Sequence, residues 1–122
     1  MGDGLVVSRI LGVTVVSFRD QSILDGAAVE RLADTLYELV AAQARRMLLL
    51  DFRQVKYLSS TMMGVLLALH KKARAINGQV VVCGLNPSLR RAIRFMRIDS
   101  VLNVVDSEQQ AMSQFKLVGA AI

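Results

Sequence analysis

Residues 47–84 read MLLLDFRQVKYLSSTMMGVLLALHKKARAINGQVVVCG. Two short apolar runs, Met47–Phe52 and Gln79–Cys83, flank a longer segment whose apolar residues recur every three or four positions. Unbroken apolar runs of this length suit strands buried on both faces, as in a parallel sheet. The intervening period suits a helix. Ser59, Ser60 and Thr61 are good residues to start one. Asn77 and Gly78 tolerate the left-handed conformation that ends one. Strand, helix and strand in that order form a crossover unit, which points to the α/β class.

The flanking sequence extends the pattern. Leu5–Ile10 and Val13–Phe18 are β-branched runs around Gly12 and predict a hairpin. Val29, Leu32, Ala33, Leu36, Leu39 and Val40 give a helical stripe over residues 26–43, with Asp25 as its N-cap. Arg53–Leu58 reads as a loop. The chain turns over Gly84–Pro87, and Pro87 opens a third helix running to about Met96. A last strand over Val101–Val105 and a closing helix over Ser107–Phe115 complete the order β-β-α-β-α-β-α-β-α. The expected architecture is a mixed, mostly parallel sheet with an N-terminal β-hairpin and crossover helices. No linker or repeat interrupts the 122 residues, so a single domain is expected over 1–122, with its core in 4–116.

Composition removes several functional classes. Apolar residues make up 53% of the chain, which argues against disorder. A lone cysteine, Cys83, cannot form an internal disulfide and suits a reducing, cytoplasmic location. One His and one Cys cannot supply the four N/S ligands of a structural zinc site, so no metal or cofactor is expected. No apolar run approaches the ~20 residues of a membrane helix, so no membrane insertion is expected. The net charge of +5 is unevenly spread: residues 45–98 carry 11 basic groups and 1 acidic group. That segment should attract anionic partners.

The second helix carries most of the information. Ser60, Thr61, Gly64, Ala68, Lys71, Lys72 and Ala75 fall three or four apart and form one small-to-basic stripe, with the apolar residues on the buried side. Glycine inside a helix costs about 1 kcal/mol against alanine. Close approach of another backbone is the usual reason to keep it. The hydroxyls at the helix start lie where free N–H groups and a partial positive charge favour a phosphate. A phosphate there would add nearly two negative charges to a contact surface and could switch association off. Capping of the helix by Ser59 or Ser60 is the simpler reading of the same hydroxyls.

The stretch from Met47 to Val105, and more weakly the whole chain, resembles the STAS domain of bacterial anti-sigma factor antagonists. The family pattern is an apolar strand ending in Asp, a short loop, and Asp-Ser-Ser-Gly-Leu-Gly opening a helix. A CGLNP-like turn follows the next strand, matched here by residues 83–87. The resemblance implies partner switching. Such antagonists bind an anti-sigma factor that is also a serine kinase, phosphorylation of one serine releases them, and a PP2C-type phosphatase restores binding. Matched position by position, Asp51 takes the strand-end Asp and Ser60 the phosphoacceptor. Ser59 replaces the family's Asp, Thr61 takes the second Ser, Met62 replaces the first Gly and adds bulk beside the acceptor, and Gly64 takes the second Gly. Ser59 and Thr61 are alternative acceptors. The resemblance thus implies partner contacts at Ser59, Ser60, Thr61, Gly64, Ala68, Lys71 and Lys72.

Other candidates carry less. Arg90, Arg91, Arg94 and Arg97 cluster on the third helix with no acid among them, a possible contact for an anion or an acidic partner; Leu89, Ile93 and Met96 should face the core. Nucleic acid is not expected, because no aromatic stacking platform accompanies the charge. Cys83 reads as a buried small hydrophobe and His70 as an exposed residue. With no phosphate-binding glycine loop and no paired carboxylates, the chain is expected not to be an enzyme. The alternatives to an antagonist are a non-switching STAS scaffold or sensor-complex subunit that forms homo-oligomers, and a basic anion- or nucleotide-binding domain.

Overall fold

The computed structural model describes residues 4–19, 22–23 and 26–120, the last five by backbone only. Its strands are β1 (Leu5–Ile10), β2 (Val13–Phe18), β3 (Ser22–Ile23), β4 (Met47–Asp51), β5 (Tyr57–Leu58), β6 (Gln79–Cys83) and β7 (Asn103–Val104). Its helices are α1 (Gly26–Ala41), α2 (Ser60–Ala75), α3 (Pro87–Phe95) and α4 (Glu108–Ala120). The main sheet has the order β1-β2-β4-β6-β7. β1 runs antiparallel to β2, and all later neighbours are parallel. The expected mixed, mostly parallel sheet with its leading hairpin is therefore present. Asp25, the expected cap of α1, lies outside the described residues.

Alternation along the strands divides the core in two. Val16, Phe18, Leu48, Leu50, Val80 and Val82 pack with Leu36 of α1, Leu66 of α2 and Ile93 of α3. Val13, Val15, Leu49, Val81 and Cys83 pack with Ala111 and Phe115 of α4. β4 and β6 are covered on both faces, which is why they read as unbroken apolar runs. Phe18 and Phe52 stack with centroids 4.5 Å apart.

Local chemistry sets the boundaries. Asn86 accepts a hydrogen bond from the Leu89 N–H at 2.8 Å and caps α3, with Pro87 in its first turn. The Ser107 hydroxyl accepts from the Gln110 N–H at the start of α4. Asn77 adopts φ 61°, as a helix-ending Asn can.

Two expectations are corrected. Residues 53–58 are not all loop: Tyr57–Leu58 pairs in parallel with Ser22–Ile23 as a separate two-stranded sheet. The last strand is shorter than Val101–Val105. Arg97 turns the chain at φ 59°, Ile98–Ser100 form a 3-10 turn, and the N–H groups of Val101 and Leu102 both donate to the Ile98 carbonyl. Only from Asn103 can the chain join the ladder.

Candidate functional site

The start of α2 lies at the end of the sheet where the parallel strands finish. The small sheet holds it there: the Ser59 N–H donates to the Ile23 carbonyl at 3.0 Å, directly after Leu58 pairs with Ile23. Ser59 is half-buried and its hydroxyl accepts from the Met62 N–H at 3.1 Å, so Ser59 is the N-cap. Ser60 and Thr61 follow as exposed hydroxyls. No acid sits in this first turn. Of the three hydroxyls, one is engaged in capping and two face solvent. Replacing Ser59 with Ala should cost about 1 kcal/mol of stability, read from thermal unfolding. A negligible change would mean that the cap bond contributes nothing.

The stripe keeps its place. Ser60, Thr61, Gly64, Lys71, Lys72 and Ala75 are exposed and Ala68 is half-buried. Leu67, counted on the buried side from sequence, is also only half-buried and borders the stripe. A Cβ built on Gly64 meets nothing within 4 Å. The fold itself therefore gives no packing reason for glycine at this position. Lys72, exposed on the stripe, also places its Nζ 4.9 Å from the centroid of the Tyr37 ring on α1, in a cation–π arrangement. Met62 adds no bulk beside Ser60. It is fully buried and turns into the core, as is Met63 at 3% exposure.

Asp51 is 3% exposed at the end of β4. Its carboxylate accepts from the Arg53 N–H at 3.0 Å and from Arg53 Nε at 2.9 Å, and pairs with the guanidinium at 2.7 Å. The hydrogen bond and charge of Asp51 raise the Arg53 pKa above its ordinary value. Glu108 lies 3.7 Å from the same guanidinium. Gly84 completes this corner with φ 77°, and a Cβ there would fall 2.6 Å from Arg53 Cγ. Sequence reading found Asp51 but not Arg53 or Glu108, which only the parallel sheet brings together.

The remaining candidates are dispersed. Arg90 pairs with Asp106 and is not free of acids as expected, whereas Arg91, Arg94 and Arg97 are exposed. Met96 does not face the core; it caps α3 half-exposed, beside a Phe95 that is 89% exposed. Burial pushes the Cys83 thiol up to about 12, which keeps it a protonated, unreactive core group. His70 is half-buried rather than exposed. Its Nδ1 has no hydrogen-bond partner, and burial, then Arg74, lowers its pKa. Among the described residues, no cluster of His, Cys, Asp or Glu could hold a metal, and no helix is long and apolar enough to cross a membrane.

Comparison with known proteins agrees with the geometry. The STAS domain family matches residues 5–111. A candidate anti-sigma factor antagonist of Bordetella bronchiseptica, BtrV, is 29% identical over 92% of this chain and 94% of its own. An anti-sigma factor antagonist from Mycobacterium paratuberculosis superposes with a TM-score of 0.79 at 24% identity, covering 93% of this chain and 96% of that one. The Bacillus cell fate determinant SpoIIAA in its phosphorylated form superposes with a TM-score of 0.70 at 16% identity, covering 91% and 98%. Sheet order, the position of α2 and the family match over residues 5–111 converge on one conclusion: the chain belongs to the STAS domain family, the family that contains these anti-sigma factor antagonists.

Proposed function

We propose that this protein is an anti-sigma factor antagonist that acts by partner switching. In this reading it binds a serine-kinase anti-sigma factor through the exposed stripe of α2 and is released when Ser60 is phosphorylated. The observation that carries the reading is Gly64. It sits inside the helix, exposed, one turn beyond two free hydroxyls, and among the described residues a Cβ there would meet nothing within 4 Å. A residue that weakens its helix and serves no internal contact fits close approach by a partner. The named relatives, and a structural neighbour solved in a phosphorylated form, support the same role.

Ser60 is the preferred acceptor on geometric grounds. Ser59 is engaged as the cap, so phosphorylating it would remove a bond that holds the helix start. Ser60 presents its hydroxyl at the positive helix end without such a loss. The role is one of binding, with the chain a substrate for phosphorylation rather than a catalyst. A PP2C-type phosphatase would return it to the binding form.

The test compares two substitutions by titration calorimetry against the anti-sigma partner. Ser60→Ala should bind within a few-fold of the native chain. Ser60→Asp should lose affinity by about a hundredfold or more, through a misplaced charge in a desolvated contact. Equal affinities would remove Ser60 from the switch.

A further inference from the structure

At the opposite end of the domain, the parallel strands begin. The hairpin tip Leu11–Gly12 lies there, because β2 starts there and runs parallel to β4. α1, α2 and α3 each lead back toward that end, since each precedes a strand that starts there. The two most exposed large apolar side chains among the described residues, Leu11 at 92% and Phe95 at 89%, therefore share this end. Neither contributes to the core. Leu11 also adopts φ 52° in a two-residue turn, a conformation that favours Asn or Gly. The fold gains nothing from leucine here in either burial or backbone geometry.

Cations are gathered at this end of the domain. Arg9, Arg45 and Arg46 line a groove of about 240 Å³ beside Gly12, where Arg45 donates to the Thr14 hydroxyl at 3.2 Å. Met47 joins this groove to a second one that holds Arg74 and His70, with its unpartnered Nδ1. Arg94 and Arg97 flank Phe95 in sequence and are exposed. Against this charge stand Glu38 in the last turn of α1 and Asp99 in the 3-10 turn.

We propose that this end is a peripheral docking surface for an anionic phospholipid bilayer. The arginines engage headgroup phosphates, and Leu11 and Phe95 enter the headgroup–acyl boundary. The combination selects this occupant. Separate apolar tips at a cationic end of the domain suit a soft interface that admits each side chain singly, while a protein groove calls for a contiguous apolar face. Docking of this kind needs no spanning helix. It leaves Ser60 and Gly64 pointing away from the bilayer, open to a partner.

The test is flotation of the full chain with vesicles of phosphatidylcholine alone, or with about one-third phosphatidylglycerol. Binding is expected only to the anionic vesicles, and should weaken as salt rises. Leu11→Asn combined with Phe95→Ser should lower the bound fraction about tenfold while the chain stays folded, because Asn suits the turn better than Leu. Arg45→Glu with Arg46→Glu should do the same, and Ser60→Ala should bind like the native chain. The proposal is overturned if anionic vesicles do not capture the chain. It is also overturned if the Leu11→Asn/Phe95→Ser variant binds undiminished, or if soluble glycerol phosphate displaces the vesicles completely, which would mark a small-anion site.

Discussion

Gly64→Arg is expected to leave the fold intact and to abolish docking to the anti-sigma partner, while Gly64→Ala should make the isolated chain more stable. Both follow from the empty space around the position. Alanine removes the conformational penalty of a mid-helix glycine, a gain of about 1 kcal/mol. In a domain of this size that raises the midpoint of thermal unfolding by roughly 3–5 °C. An arginine side chain can extend into solvent in the free chain. In a complex where a partner backbone lies against the helix, it has nowhere to go. Calorimetric binding and thermal melts of both variants separate the two effects. If Gly64→Ala were destabilising, the glycine would be serving its own fold. If Gly64→Arg bound normally, the stripe would not be the contact face.

Gly78→Ala should have the largest effect on stability, a loss of about 3 kcal/mol in chemical denaturation. A Cβ at this position would fall 2.3 Å from the Arg46 carbonyl oxygen and 2.9 Å from that of Ala73. Neither oxygen is free to move aside. The Gly78 N–H donates to the Ala73 carbonyl at 2.7 Å, and the Gln79 N–H donates to the Arg46 carbonyl at 2.7 Å. Accommodating the methyl group means breaking the closure of α2 or the entry of β6 into the sheet. Gly26→Ala is the internal comparison: a Cβ there meets nothing within 4 Å, so that change should be neutral or mildly stabilising. A small effect of Gly78→Ala would show that the α2–β6 junction relaxes.

The sequence disclosed the elements whose signals are local. β-branched runs around Gly12 placed β1 and β2, unbroken apolar runs placed β4 and β6, and Ser59, Pro87 and Asn77 marked helix ends. What it concealed depended on contacts between distant residues. β3 and β5 are each two residues long and exist through each other, so neither carries a periodic signal. The periodicity of α3 assigned Met96 to the core, but the helix stops at Phe95, and the left-handed turn at Arg97 leaves Met96 half-exposed. Charge showed the same limit. Arg90 meets Asp106 across 16 positions, and Lys72 meets Tyr37 on a neighbouring helix. At the candidate site, sequence placed the hydroxyls but not their division of labour, which rests on which oxygen faces the Met62 N–H.

Central to the account is an exposed Ser60 whose phosphorylation decides whether α2 can dock. The most direct measurement is to phosphorylate the chain with its anti-sigma kinase and ATP, map the modified residue by mass spectrometry, and titrate the purified phosphoprotein against the same partner. The account predicts phosphate on Ser60 and an affinity reduced at least about a hundredfold. Phosphate on Ser59, or undiminished affinity with Ser60 fully phosphorylated, would contradict it.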